Sequence, residues 1–155
     1  MNIEHLYDVK LTWLNGRLGK LNSPELTDEM IVATPPEFPN GVEKIWSPEH
    51  LFTAAVNSCL MTTFLAIADN SKLEFEHFES SASGKLEMIE GKYIMSEVTL
   101  MPRVVIAKED LKEKAMRLLQ KAEAACLISN SIKSKIIFIL KFWLKFLTCP
   151  LLYNM

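Results

Sequence analysis

Cysteine is scarce in this chain: three residues in 155, at positions 59, 126 and 149. An odd number without a short repeated spacing makes neither a disulfide framework nor a CxxC metal site. Histidine is as sparse, and His5, His50 and His77 are spread through mixed settings, so no metal and no cofactor are expected. A surplus of one charge is also missing. Lys plus Arg total 17 against 19 Asp plus Glu, a net of −2, which lacks the basic surface that nucleic acid demands and the charge excess of a disordered acidic chain. The opening Met1–Asn2–Ile3–Glu4 has neither a basic nor an apolar leader region, so a cytoplasmic location is expected. Internal repeats and low-complexity segments are absent too.

What is present is apolar surface, almost half of all residues, enough at this length for one domain with a substantial core. Its densest structured stretch is Ser47–Asp69. Ser47 can cap a helix, Pro48 suits the first helical position, and Glu49 places an anion at the positive end of the helix dipole. Leu51, Phe52, Val56, Cys59, Leu60, Phe64 and Ile67 then leave little polar circumference, which predicts a helix buried on most sides at the hub of the core.

The flanking chain reads as strands and one more helix. Tyr7, Val9, Leu11 and Trp13 alternate as in a half-buried strand, Asn15–Gly16 signals a hairpin, and Arg17 starts the return strand Arg17–Leu21. After the turn-rich Asn22–Asp28, Glu29–Thr34 is a short strand, and Pro35–Gly41 (PPEFPNG) is an ordered-loop composition. Lys72–Ile89 and Lys92–Val105 form a longer hairpin turning at Glu90–Gly91. Lys108–Ala125 is an amphipathic helix with a stripe at Leu111, Ala115, Leu118, Ala122 and Ala125, its Lys and Glu residues forming a solvated face. It ends near Cys126, before Ser129–Asn130–Ser131.

Residues 136–155 are apolar and aromatic, with Lys141 and Lys145 but no acid. Only about twelve residues precede Thr148–Cys149–Pro150, short of the roughly twenty apolar residues of a membrane span. A final strand or docking tail is expected, and a membrane association is not. With strands joined locally, the order predicts an α+β fold of antiparallel sheets wrapped around a central buried helix rather than βαβ units.

Two cysteines can carry chemistry. Each is readable as a small core hydrophobe. Together they are also readable as a peroxidatic thiolate and the thiol that traps its sulfenic acid. An apolar site raises a thiol pKa, so a peroxidatic role needs a fixed cation to lower it. Arginine suits, being permanently charged and orientable by a carboxylate. Arg17 and Glu49 are available for those parts.

The strings SPEHLFTAAVNSCLMTTF, AEAACLISNSIKSKI, WLNGRLGKL and PPEFPNG, in four separate places and in order, resemble the OsmC/Ohr family of thiol-dependent hydroperoxide reductases over about residues 5–138. The resemblance implies an intertwined homodimer with its active site at the subunit interface. It implies Cys59 as peroxidatic cysteine, Cys126 as resolving cysteine, Arg17 holding the thiolate and Glu49 orienting Arg17. It further implies a hydroperoxide substrate, an external dithiol reductant, or else an idle relative whose cysteines only pack. Two departures stand out. Leu127 follows Cys126 where the organic-hydroperoxide branch, with its lipoyl-type reductant, typically has proline. The tail 139–155 is also unlike the family's usual last strand, as a shifted reading frame near Ile139 would make it, so 1–138 is taken as the domain. Finally, Glu49 and Cys59 are ten residues apart, about 15 Å along one helix and about 80° round it. They cannot meet within that helix, which predicts a site shared by two chains unless Arg17 spans the gap.

Overall fold

The computed structural model describes residues 3–144, with side chains described to Lys141. The chain divides between Leu51 and Phe52 into two compact units.

The first unit is an antiparallel meander of β1 (Lys10–Asn15), β2 (Leu18–Asn22) and β3 (Met30–Ala33), in that spatial order. Asn15 pairs with Leu18, so the loop is Gly16–Arg17, and only its first residue takes positive φ, at 49°. Arg17 therefore sits in the turn, one place earlier than the strand position expected for it. Glycine at the first loop position satisfies the backbone and leaves Asn15 free to stay in the ladder. The alternation on β1 is real, but among the described residues it buries none of the strand: Leu11 is 62% and Trp13 73% exposed. The PPEFPNG loop is tied by Phe38 N–H to Pro35 O at 3.1 Å and Gly41 N–H to Phe38 O at 2.9 Å. A Cβ at Gly41 would strike the Pro35 backbone, so the loop closes only around glycine.

α1 (Pro48–Asn70) begins where the sequence signals it. Ser47 is buried, and its Oγ accepts the His50 N–H at 3.4 Å and lies 2.8 Å from His50 Nδ1. This is an N-cap with the third helical residue leaning back on it.

In the second unit β4 (His77–Ile89) and β5 (Lys92–Ile106) form the long antiparallel hairpin, turned by Glu90 and Gly91 at φ 49° and 78°. After a 3₁₀ turn at Glu109–Leu111, α2 (Lys112–Ala125) carries the chain back along the sheet. As a result β6 (Lys135–Phe138) and β7 (Lys141–Leu144) pair with β5 in parallel. The sheet is mixed, which corrects the purely antiparallel expectation. A long amphipathic helix between two strands is a crossover, and it returns the chain to the same end of the sheet. Pro102 explains the gap between β6 and β7. It lies on β5 between the β6 register, ending at Leu100, and the β7 register, starting at Arg103, where a residue without N–H cannot serve a neighbouring strand. The expected tail thus begins as strand; its residues 145–155 lie outside the described residues.

The core is one cluster. Val98, Leu100, Val104 and Ile106 alternate on one face of β5, and against them pack Val56, Leu60, Phe64 and Ala68 of α1 and Ala115, Leu119 and Ala122 of α2. Phe64 stacks on Phe78 with centroids 5.1 Å apart. The buried residues of α1 recur every fourth place and make a single stripe, while Met61 and Leu65 are each 39% exposed. Burial on most of the helix circumference is therefore not found among the described residues. The sheet and α2 can cover only one side of a rod, and the sequence supplies more apolar surface than that side uses. On α2 the stripe falls on Ala115, Leu119 and Ala122, with Leu118 at its margin and Ala125 exposed.

Candidate active site

Cys59 lies in the middle of α1, one place before the buried Leu60, so its side chain leaves the helix at the edge of the core and is half-buried. Two features fix that edge. Asn57 Nδ2 donates to the Ser80 carbonyl at 3.0 Å, and Ser80 Oγ donates back to Asn57 Oδ1 at 2.6 Å, pinning α1 to β4. One turn earlier, Gly84 lets the helix approach β4: a Cβ there would collide with the Thr53 hydroxyl and with Met95.

Cys126 caps the C-terminus of α2 and is fully buried. Its backbone turns extended, with φ −63° and ψ 115°, and the chain enters a tight turn in which Asn130 N–H reaches back to Cys126 O at 3.1 Å. Asn130 Nδ2 holds the same carbonyl at 2.9 Å. This turn brings its own backbone to Cys59: the Ile128 N–H donates to Cys59 Sγ at 3.5 Å. Thr63, one helical turn beyond Cys59, places Oγ1 4.0 Å from the same sulfur.

The two thiols influence each other and split in acidity. Burial pushes the Cys59 thiol up, but hydrogen bonds from the Cys126 thiol, the Ile128 N–H, the Thr63 hydroxyl and the Leu127 N–H together hold it below its ordinary value. Burial also pushes the Cys126 thiol up, and its bond to Cys59 adds to this, with Ser129 pulling the other way. In the pair, Cys59 is thus the more acidic sulfur and Cys126 the less acidic one. The stabilising groups within this unit are all uncharged.

A family model, OsmC-like protein, matches residues 41–141. The chain belongs to the OsmC-like family. Among OsmC-like and related proteins, it is 25% identical over 138 residues to the uncharacterized protein YmaD of Bacillus subtilis, spanning 86% of this chain and 90% of that one. An OsmC-like protein of unknown function from Vibrio cholerae shares the fold with a TM-score of 0.79 at 23% identity, over 88% of this chain and 99% of that one. The organic hydroperoxide resistance protein OhrB of Bacillus subtilis does so with a TM-score of 0.66 at 22% identity, over 90% and 98%.

Of the four residues expected at the site of this OsmC-like chain, the structure brings Cys59 and Cys126 together. Arg17 and Glu49 belong to the first unit, Arg17 exposed in the hairpin turn with its carbonyl accepting Thr34 N–H at 3.4 Å, Glu49 half-buried in the first turn of α1. Sequence reasoning missed Thr63, although its spacing of four from Cys59 places both on one helix face and could have found it. The backbone donors at Leu127 and Ile128 carry no side-chain signal at all. Among the described residues no group of His, Cys, Asp or Glu could hold a metal ion.

Proposed function

We propose that this OsmC-like protein is a cytoplasmic cysteine-based peroxidase that reduces organic hydroperoxides or hydrogen peroxide. The observation that carries the reading is the thiol pair: a half-buried Cys59, lowered in pKa and held by the turn that follows Cys126, beside a buried Cys126 that is raised. The Cys59 thiolate attacks the terminal peroxide oxygen, an S–O bond forms as the O–O bond breaks, and the alcohol or water departs once protonated. Cys126 then attacks the Cys59 sulfenic acid; an S–S bond forms and water leaves. An external dithiol reduces that disulfide by exchange and is itself oxidised.

Arg17 and Glu49 enter this proposal as the cation that binds the thiolate and the carboxylate that orients it, in a site completed by a second copy of the chain. The exposed apolar residues of α1 and β1 support a homodimer, since Met61, Leu65, Leu11 and Trp13 offer surface for a partner to cover. A monomer with full peroxidase activity would overturn the shared site. The test of the function itself is to treat reduced protein with one equivalent of cumene hydroperoxide and map disulfides by mass spectrometry. A Cys59–Cys126 link in wild type and lost peroxide consumption in Cys59→Ser are expected. Absence of the link, with undiminished consumption by the variant, sinks the reading.

A further inference from the structure

The turn that follows Cys126 does more than deliver a second sulfur. Its Ile128 N–H points at Cys59 Sγ from 3.5 Å, and among the described residues no backbone carbonyl takes that proton instead. Thr63 Oγ1 reaches the same sulfur from the helix side at 4.0 Å, and the neighbouring Leu127 N–H also lowers the pKa of that thiol. The turn is held in place independently of the sulfur by Asn130, whose side chain bonds both Ala124 O and Cys126 O at 2.9 Å, and by Ser131 Oγ on Leu127 O at 2.8 Å. Donors braced in this way are preorganised for an anion.

We propose that the Leu127–Ile128 backbone, with the Thr63 hydroxyl, is an anion cradle for the Cys59 thiolate, so that the segment carrying the resolving cysteine also sets the reactivity of the attacking one. Thr63, Leu127 and Ile128 act as positioning residues: they hold the sulfur and touch no substrate. The placement of leucine after Cys126 matters here, because a proline at 127 would have no N–H to offer. The cradle also couples the two halves of a redox cycle. Once Cys59 is joined to Cys126 its sulfur carries no charge, and the two amides lose their anionic acceptor. The link to peroxide turnover rests on the function proposed above, whereas the cradle itself does not.

The test reads acidity rather than turnover. In ¹⁵N-labelled, reduced wild type the Ile128 amide resonance is expected to shift with pH at the midpoint found for Cys59 by thiolate absorbance at 240 nm, and to stay flat in Cys59→Ser. Leu127→Pro and Thr63→Val are each expected to raise the Cys59 midpoint. Loss of one donor to a charged acceptor corresponds to about a tenfold slower alkylation by iodoacetamide at a pH below that midpoint. Proline fits at 127 because Cys126 already has the extended backbone that a residue before proline adopts, and Leu127 is 71% exposed. An Ile128 resonance indifferent to the Cys59 titration overturns the cradle, as does an unchanged midpoint in both variants. Neither outcome depends on peroxide consumption, so failure of the peroxidase reading and failure of the cradle are seen separately.

Discussion

Asn57 and Ser80 are joined by two hydrogen bonds running in opposite directions, Asn57 Nδ2 to the Ser80 carbonyl at 3.0 Å and Ser80 Oγ to Asn57 Oδ1 at 2.6 Å. The pair fixes both the height and the rotation of α1 over β4, two residues before the candidate nucleophile. Asn57→Ala leaves the Ser80 groups without these partners and is expected to cost about 1–3 kcal/mol, measured by urea denaturation. A loss of stability with no change in Cys59 alkylation rate would show that the pair does not position the sulfur.

The acidity of the thiol pair gives a pH signature. Cys59 is expected to be alkylated at a lower pH than an unfolded-chain cysteine, and Cys126 only at a higher one. The sign for stability follows: a folded-state pKa below the unfolded value of about 8.5 means that the Cys59 thiolate contributes stability above that value, lost as pH falls through the folded midpoint. Differential alkylation with peptide mapping across pH 5–10 checks the order. Equal labelling midpoints for Cys59 and Cys126 would refute it.

Phe64 is fully buried, stacked on Phe78 with centroids 5.1 Å apart and tilted against Phe75 at 5.5 Å. Phe64→Ala removes the centre of the only stripe that α1 buries among the described residues, and a loss of about 3–5 kcal/mol is expected. Thermal unfolding followed by circular dichroism measures it; a shift below about 1 kcal/mol would mean that the cluster repacks.

Gly84 tests a different kind of packing. A methyl group at this position meets the Thr53 hydroxyl and the Met95 terminus. Gly84→Ala should cost about 1–3 kcal/mol by overpacking, and Thr53→Ala should recover part of that loss in the double variant. Simple additivity of the two changes would place the strain elsewhere.

β7 pairs through four residues with Arg103–Ile106. Ending the chain before Lys141 removes that ladder from β5, and a lower melting temperature is expected than for a chain ending after Leu144. Equal melting temperatures would make the β7 ladder dispensable.

Much of this molecule was legible in local sequence because it rests on local physics. The Ser47 cap, the Pro48 start, the Glu90–Gly91 turn and the β3 and β5 strands follow from dihedral preference and periodicity, which act within a few residues. The strings around Cys59 and Cys126 carried the family. The parallel pairing of β6 and β7 was not legible, since nothing local says to which end of the sheet a crossover returns. Nor was the extent of α1 burial, because composition reports how apolar a helix is and not how many of its sides the chain can reach. By type Cys59 and Cys126 were only candidates, and their expected roles came from the family resemblance. Only the tertiary structure put them side by side, aimed the Ile128 amide at one sulfur and made the other less acidic, because backbone direction and shared desolvation arise when segments 67 residues apart are packed together.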